Sequence, residues 1–412
     1  MRVLLTDGSG LTSRQVATRL HGLGHRVEVL CPDPFSLTRF TRHVARMHKV
    51  PAYGDDPFAW LDAAIAVLRE QRFDVLFPTQ EQVAVLACEV QRVRALGVAL
   101  AVPPFDALRR VQDKLSARST LTELGIPQPH ATVARAPTDL LAVAELPVFV
   151  KVPIGTATSG VRRGATPSDL RAIAGELERA DAFADGGVLV QRAVDGPLAM
   201  VQAVFADGTL LASHANLRTR EGASGGASGK CSVDLPEVRD HLATIGTALG
   251  WHGAFSADVI LTDAGPRWID LNPRLVEPGN ALRAGVDLVD VLLRVSVGET
   301  PPPVGPGRPG VDTHQLVLAL LAAASHGRAA LVRELGDAAR RRGPYAGSTE
   351  ELTPLAGDAR TALPVAFTAV ALLARPSLWR GLSGGAVRNY ALSPQGWRAI
   401  CAACGTDGGA TR

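Results

Sequence analysis

The chain has 412 residues, 43 of them basic and 40 acidic, for a formal net charge of +3. That length fits two to four domains, each large enough for a core of its own without disulfide staples. A balance this even makes no electrostatic claim on nucleic acid, and only 5% aromatic residues leave little for stacking on single strands. The five cysteines, Cys31, Cys88, Cys231, Cys401 and Cys404, are scattered and odd in number. They read as reduced thiols of a cytoplasmic protein, with Cys401-x-x-Cys404 an incidental pair. Only four of the basic residues are lysine, namely Lys49, Lys114, Lys151 and Lys230. Genomic base composition alone explains such a bias, but it makes each lysine worth locating.

The N-terminus reads as a short strand, not a signal peptide. The longest apolar run, Leu363 to Ala374, falls short of the ~20 residues of a membrane helix and is expected to pack in the C-terminal part. Along the first hundred residues, strands are expected at Val3–Thr6, Arg26–Cys31, Asp74–Pro78 and Ala99–Val102. Helices are expected at Ser13–Leu23, Ala59–Gln71 and Val83–Leu96. This alternation implies an open parallel α/β sheet with ligands beyond the carboxyl ends of its strands. Asp7-Gly8-Ser9-Gly10 and Pro78-Thr79-Gln80-Glu81 lie at such ends. A helix at Lys114–Leu124 follows, then strands at Val148–Val152, Gly187–Gln191, Met200–Phe205, Thr209–Ala215, Phe255–Leu261 and Arg267–Leu271. The pairs joined by Ala206-Asp207-Gly208 and Thr262-Asp263-Ala264-Gly265 read as hairpins, so the middle of the chain is α+β with antiparallel pairing. Pro301 to Gly310 reads as a linker, and helices are expected at His314–Ala324 and Ala329–Arg340.

Three segments suggest chemistry. Gly8-x-Gly10 after the first strand is two-thirds of a dinucleotide fingerprint, with Ser13 where the third glycine belongs; a tight strand-to-helix turn is the plainer reading. Val148-Phe-Val-Lys151 leads into a small-residue loop holding Gly155, Thr156, Thr158, Ser159 and Gly160. Such a loop can present backbone N–H groups to a polyphosphate beside a movable ammonium, although a surface hairpin with a snorkelling lysine is the alternative. In the hairpin Phe255–Leu271, the period of two puts Asp270 and Asn272 on one face with Asp258 beside them. This all-oxygen set suits Mg²⁺ completed by phosphate oxygens, and Arg274 points a planar fork at the same place. A polar hairpin face with Asp258 paired to Arg274 is the bland alternative.

Gln112-Asp113-Lys114, Val148-Phe-Val-Lys151 with its glycine loop, Val188-Leu-Val-Gln191-Arg-Ala-Val194-Asp-Gly196, Gly225-Gly226-Ala-Ser228, and Asp258 followed by Asp270-Leu-Asn272-Pro-Arg274 come in this order. Together they resemble the ATP-grasp superfamily over roughly residues 1 to 300. The resemblance implies an open α/β domain over 1–112, an ATP-grasp domain over 113–300, and a mixed C-terminal domain over 301–412 with substrate or dimer contacts. It implies that Lys114 and Lys151 contact phosphates under the Gly155, Thr156, Ser159 and Gly160 loop. Gln191, Arg192 and Val194 would lie along adenine, and Asp258, Asp270 and Asn272 would hold two Mg²⁺, with Mn²⁺ as a substitute. Arg274 would hold the reacting carboxylate, with Glu277 and Ser228 as further substrate contacts. Glu81, at a strand end facing the same site, is expected to meet a substrate amine, a helix-start carboxylate being the alternative. Two departures stand out. Pro197-Leu198 replaces the usual ribose-binding carboxylate, and Asp270-x-Asn272 replaces Glu-x-Asn.

The expected activity is that of an ATP-dependent carboxylate–amine ligase acting through an acyl phosphate on an amino-acid or peptide-like substrate. Phosphoryl or carbamoyl transfer, a nicotinamide-dependent oxidoreductase and a non-catalytic nucleotide-binding module are the alternatives. Expected partners are small carboxylates and amines and a second copy of the chain, with no nucleic acid and no membrane span. His130, His214 and His252 read as ordinary structural residues, Lys49 as a surface residue, and Lys230 as a candidate phosphate contact from a mobile loop.

Overall fold

The computed structural model describes residues 1–54, 56–156, 160–184, 186–223 and 225–406. The N-terminal part is a four-stranded parallel sheet of order β3-β2-β1-β4, with β1 Arg2–Leu5, β2 Arg26–Cys31, β3 Val44–Lys49 and β4 Val75–Phe77. Its helices are α1 Leu11–Gly22, α2 Pro57–Glu70, α3 Val83–Cys88, α4 Val90–Arg94 and α5 Phe105–Gln112. Crossover helices are what parallel pairing demands, and β1 and β4 are correspondingly apolar at Val3, Leu4, Leu5 and Val75 to Phe77, while β2 buries the single carboxylate Glu28. Two expectations change here. The segment Val44–Lys49 adds an edge strand that its charged sequence concealed, and Ala99 contributes only a bridge to Val75 in place of a full strand.

Helix α6, Lys114–Glu123, is capped by Asp113, whose Oδ1 accepts from Leu115 N at 2.7 Å and Ser116 N at 3.1 Å. Beyond it lies a small antiparallel sheet of order β5-β8-β6-β7, with β5 Ala131–Ala134, β6 Val148–Lys151, β7 Val161–Gly164 and β8 Val188–Arg192. Helices α7, Pro137–Leu141, and α8, Pro167–Arg179, complete this layer, and Thr166 with Asp169 forms a capping box at the start of α8.

The large sheet has the order β13-β12-β9-β10-β11-β14-β15. Its strands are β9 Leu198–Ala206, β10 Thr209–Glu221, β11 Ala227–Val233, β12 Gly253–Thr262, β13 Gly265–Asn272, β14 Asp312–His314 and β15 Thr349–Glu350. One face is apolar: Val201, Ala203, Phe205, Phe255, Ala257 and Trp268 pack with α5, α6 and α9, Pro236–Leu249. Trp268 and Phe255 are fully buried there, so truncating either to Ala would cost about 3–5 kcal/mol. The other face turns toward the N-terminal part; it is apolar at one end, where Val204, Ala206, Ala212 and Ala254 join the core of the parallel sheet, and polar along the rest. Helices α10, Gly279–Ala284, and α11, Leu288–Ser296, join the core of the parallel sheet, which includes Val3, Leu5, Leu288 and Leu292.

The Pro301–Gly310 segment is tied down along the sheet, through Val304 N to Leu211 O at 2.7 Å and Gly310 N to Ser232 O at 2.8 Å. His314, expected in a helix, ends strand β14, because its register partner Gly229 on β11 offers an open ladder. Helices α12, Leu316–Ser325, α13, Arg328–Arg340, α14, Ala362–Ala374, and α15, Trp379–Gly384, build a separate small core. Leu363, Phe367 and Val370 form an exposed stripe on α14. The last helix, α16, Pro394–Thr406, returns to the N-terminal part, where Trp397 and Ile400 enter its core. Cys404 is bonded to Cys88 there, 316 residues away in sequence. The expectation that all thiols are reduced is therefore corrected: of the presumed incidental pair, Cys404 is a disulfide partner and Cys401 a free thiol beside it. Among the described residues, no helix is long and apolar enough to cross a membrane.

Candidate active site

The polar face of the large sheet is a consequence of register. Asp258 is directly opposite Asp270, and Ser256 opposite Asn272, so the period of two brings all four to one side. Across β9 and β10 the same side carries Gln202, His214, Met200 and Asn216, and on β11 it carries Ser232 and Lys230. Sequence reading finds the β12–β13 pair and names Lys230 and His214 without bringing them to this face, and it passes over Gln202, Asn216 and Ser232. The signal was present in Ser213-His-Ala-Asn-Leu-Arg218, where polar residues alternate with apolar ones on a strand whose other face is core.

One end of this face is a charge cluster. Lys151, at the end of β6, is 5% exposed and donates to Ile269 O on β13 at 2.6 Å. Lys114 Nζ stands 3.5 Å from Asp270 Oδ1 and 3.4 Å from Gly155 O. As the first residue of α6, Lys114 sits where the helix dipole disfavours a cation, which is a poor place for a lysine that only decorates a surface. Burial lowers the Lys151 ammonium below its ordinary range, with Lys114 adding repulsion and Asp270 and Asp258 opposing both. Burial and then Asp270 push the Asp258 carboxyl up to about 7, against the pull of Lys151, Arg218 and Arg274. Two facing carboxylates beside an amide oxygen are a fitting donor set for a divalent cation that takes its remaining ligands from phosphate and water. Among the described residues no group of three or more His, Cys, Asp or Glu side chains forms a metal cage, so this set would need such outside ligands.

Of the glycine loop, Ser159 and Thr158 lie outside the described residues. Thr156 is buried, and Gly160 O accepts from Val152 N at 3.0 Å. A Cβ on Gly155 would meet the Gly160 Cα at 3.0 Å, so the two ends of the loop close against each other. The segment after β8 runs along the rim of the small sheet: Gln191 is buried, Arg192 N donates to His130 O, and Val194 is half-buried. Gly196 has φ +146°, and a Cβ there would lie 2.1 Å from Leu261 O, a passage only glycine permits.

Further along the face, Arg274 Nε donates to Glu81 Oε1 at 3.0 Å, and Gln112 Nε2 donates to Glu81 Oε2 at 3.1 Å. Glu81 thus orients the guanidinium instead of standing free. Beyond it lies a buried knot. Lys230 Nζ is 2.7 Å from Glu277 Oε2 and 2.5 Å from Glu351 Oε1, and Gln315 Nε2 donates to both carboxylates. Gln15 Nε2 reaches Glu351 Oε1 at 3.4 Å. Burial opposes the Lys230 charge, but Glu277 and Glu351 outweigh it and raise the ammonium above its ordinary range. Lys230 was expected in a mobile loop; it is 1% exposed on β11, because the strand continues through Ser232 and pairs with β14. Glu277 adopts φ +53°, a strained conformation for a non-glycine residue, fixed by its N–H to Thr12 Oγ1 at 3.1 Å. Ser228 donates to Glu221 O at 3.2 Å. Glu351 and Gln315 were missed in the sequence, since no motif surrounds them.

Several buried polar atoms on this face have no partner: Ser256 Oγ, Gln202 Nε2, both amide atoms of Asn216, Gln315 Oε1 and Glu351 Oε2. They form a track from Asp258 toward Lys230. The Gly8-Ser9-Gly10 turn behaves differently, because the N–H groups of Ser9 and Gly10 donate to Asp7 Oδ2 at 2.8 and 2.7 Å. Those are the donors a pyrophosphate would need, and the turn spends them on its own carboxylate.

No family model matches the chain. It is 22% identical over 319 residues to the chloroplastic biotin carboxylase 1 of Populus trichocarpa, an alignment spanning 69% of this chain and 58% of that protein's length. Among solved structures it is similar to the biotin carboxylase domain dimer of the Hydrogenobacter thermophilus 2-oxoglutarate carboxylase, solved with MgADP, ADP and bicarbonate. That match has a TM-score of 0.60 and 15% identity, and covers 76% of this chain and 73% of the other. It is also similar to the L-amino acid ligase of Bacillus licheniformis, with a TM-score of 0.55 and 16% identity over 72% of this chain and 74% of the other.

Proposed function

We propose, from the premise that the chain belongs to the ATP-grasp superfamily, that it is a Mg²⁺- and ATP-dependent carboxylate–amine ligase acting on a small amino-acid or peptide-like substrate. The observation that carries this reading is the cluster of Lys114, Lys151, Asp258, Asp270 and Asn272 between the small and large sheets. It supplies two point charges for phosphates beside a hard-oxygen set suited to a divalent cation. The division near residues 112 and 300, assembly as a homodimer and a cytoplasmic setting belong to the same proposal; sedimentation velocity tests the dimer.

In the proposed reaction a substrate carboxylate oxygen attacks the γ-phosphorus of ATP, the bond to the β-bridging oxygen breaks, and ADP leaves. The amine nitrogen then attacks the acyl carbon, phosphate departs, and a proton is lost to form the amide. Bound Mg²⁺, held by Asp258, Asp270 and Asn272, would neutralise the triphosphate. Lys151 and Lys114 would follow the phosphates as mobile cations, which suits an ammonium better than a rigid guanidinium. Lys151 is already desolvated, so its interaction with a phosphoryl oxygen would be stronger than in water. Arg274, oriented by Glu81, would hold the reacting carboxylate, and the half-buried Asp270, a shorter arm than glutamate, would sit close to the phosphates. The ribose contact stays unassigned at Pro197-Leu198.

The test is ADP release from Mg-ATP with mixtures of L-amino acids, followed by the mass of the product. Product mass equal to the sum of two amino acids less one water is the expected result. Nucleotide binding without ADP release under any pairing would refute the ligase reading. Turnover with one substrate and no amine would point instead to phosphoryl or carbamoyl transfer.

A further inference from the structure

The knot around Lys230 is incomplete in one direction only. Formally it sets two carboxyl groups against one lysine. Glu277 Oε2 and Glu351 Oε1 share every donor nearby, while Glu351 Oε2 and Gln315 Oε1 receive none. The Glu351 side chain is 0% exposed and Gln315 is fully buried. Each acceptor left unmet in such a place costs about 1–3 kcal/mol. Both unmet atoms at the knot are oxygens, so what is lacking is a donor with positive charge.

A second unmet group lies beside it, lacking an acceptor as well as a donor. Asn216 is 0% exposed, sits opposite Ser232 and next to the Arg218–Lys230 pair in register, and has neither amide atom bonded. Glu351 and Gln15 also line a cavity of about 60 Å³ between α1 and α10, together with Thr18, Gly279, Arg283 and the ion-paired Arg19 and Asp287. A single water takes about 10–15 Å³ of such space, so the cavity leaves room for a small group on the Glu351 side of the knot. An anion does not suit the knot, because Lys230 already spans two carboxyl groups.

We infer that the Glu277–Glu351–Gln315 knot is a binding site for a protonated primary amine, which makes the substrate a small ammonium-bearing molecule. The ammonium donates to Glu351 Oε2 and Gln315 Oε1 and supplies the missing charge. It is a recognition handle and not the nucleophile, since a protonated nitrogen has no lone pair. Glu277 lies three residues after Arg274, so on the ligase reading, on which this assignment of role rests, one amino acid would span the two with its carboxylate at Arg274.

The test titrates the full chain, without nucleotide, with each of the twenty L-amino acids and with 1,4-diaminobutane, each beside its N-acetylated form, by calorimetry. At least one free amine should bind, with its acetylated form weaker by about tenfold or more, as expected for losing hydrogen bonds to a charged group. Glu351→Gln should weaken that amine by a similar factor and leave the acetylated form unchanged. Gln315→Met, which removes the other unmet oxygen, should also weaken it and serves if Glu351→Gln does not fold. Equal binding of free and acetylated forms, no binding of any amine, or full affinity in a folded variant would overturn the inference. ADP release with the same probes separates the two readings: binding without release sinks the ligase and keeps the amine site. Release supported equally by acetylated probes sinks the amine site and keeps the ligase.

Discussion

At one end of the polar face Lys114 and Lys151 stand against Asp258 and Asp270, and at the other Lys230 alone spans Glu277 and Glu351. The first end is partly open, with the Asp270 side chain 25% exposed and Lys114 11% exposed, whereas Lys230 and Glu351 are sealed at 1% and 0%. Similar residue types therefore serve different ends. Open, loosely bonded charges can rearrange around a ligand that arrives with its own charge. Sealed, tightly bonded charges hold the sheet and the C-terminal part in one geometry and accept only a group that completes them. That contrast predicts opposite phenotypes for substitutions at the two ends.

The largest effect on stability is expected at the sealed end. Lys230→Met leaves two buried carboxyl groups without their cation and should cost about 3–5 kcal/mol in urea unfolding. At the open end, Asp270→Ala should lower ATP turnover by about 10²–10³-fold while shifting the unfolding midpoint little. If Lys230→Met left stability untouched, or Asp270→Ala unfolded the chain, the contrast would be wrong. His214 sharpens it through pH. Burial lowers its imidazole to about 4, with Lys230 adding to the effect and the hydrogen bond with Asn280 opposing it. A depressed folded value means its contribution is present above about 6.5 and is lost as pH falls through about 4, at most about 3 kcal/mol. His214→Gln should therefore show a shallower fall in melting temperature between pH 7 and 4 than the parent chain; parallel curves would remove His214 from the account. The smallest expected contrast is between two conservative changes. Lys151→Arg should slow turnover by about 10–100-fold, whereas Lys49→Arg, on an exposed strand residue, should change nothing. Equal activity in the two would undo the role proposed for Lys151.

The same contrast governs how much could be read from the sequence. The open end is written locally: Lys151 ends an apolar strand before a glycine loop, and Asp258, Asp270 and Asn272 are related by one hairpin, so the period of two suffices to gather them. The sealed end joins Gln15, Lys230, Glu277, Gln315 and Glu351, which are distant in sequence and lie on different elements. No spacing rule links them, and Glu351 is placed only because Thr349–Glu350 adds an edge strand beside Asp312–His314. The N-terminal alternation of strands and helices was legible because the buried stretches of β1, β2 and β4 are mainly apolar. Val44–Lys49 was not, since an edge strand tolerates the exposed Arg46 and Lys49, and His48 is buried only by pairing with Glu28 of β2. The Cys88–Cys404 bond escaped for a related reason: cysteine spacing says nothing about a contact made by a helix returning from the end of the chain.

The central claim is that the open end activates a carboxylate with ATP. It is tested most directly by incubating the chain with Mg-ATP and L-amino acids labelled with ¹⁸O in the carboxyl group, and analysing the released phosphate by mass spectrometry. The account predicts one ¹⁸O transferred to phosphate for each ADP formed, with none in Asp270→Ala. ADP release with unlabelled phosphate would contradict it.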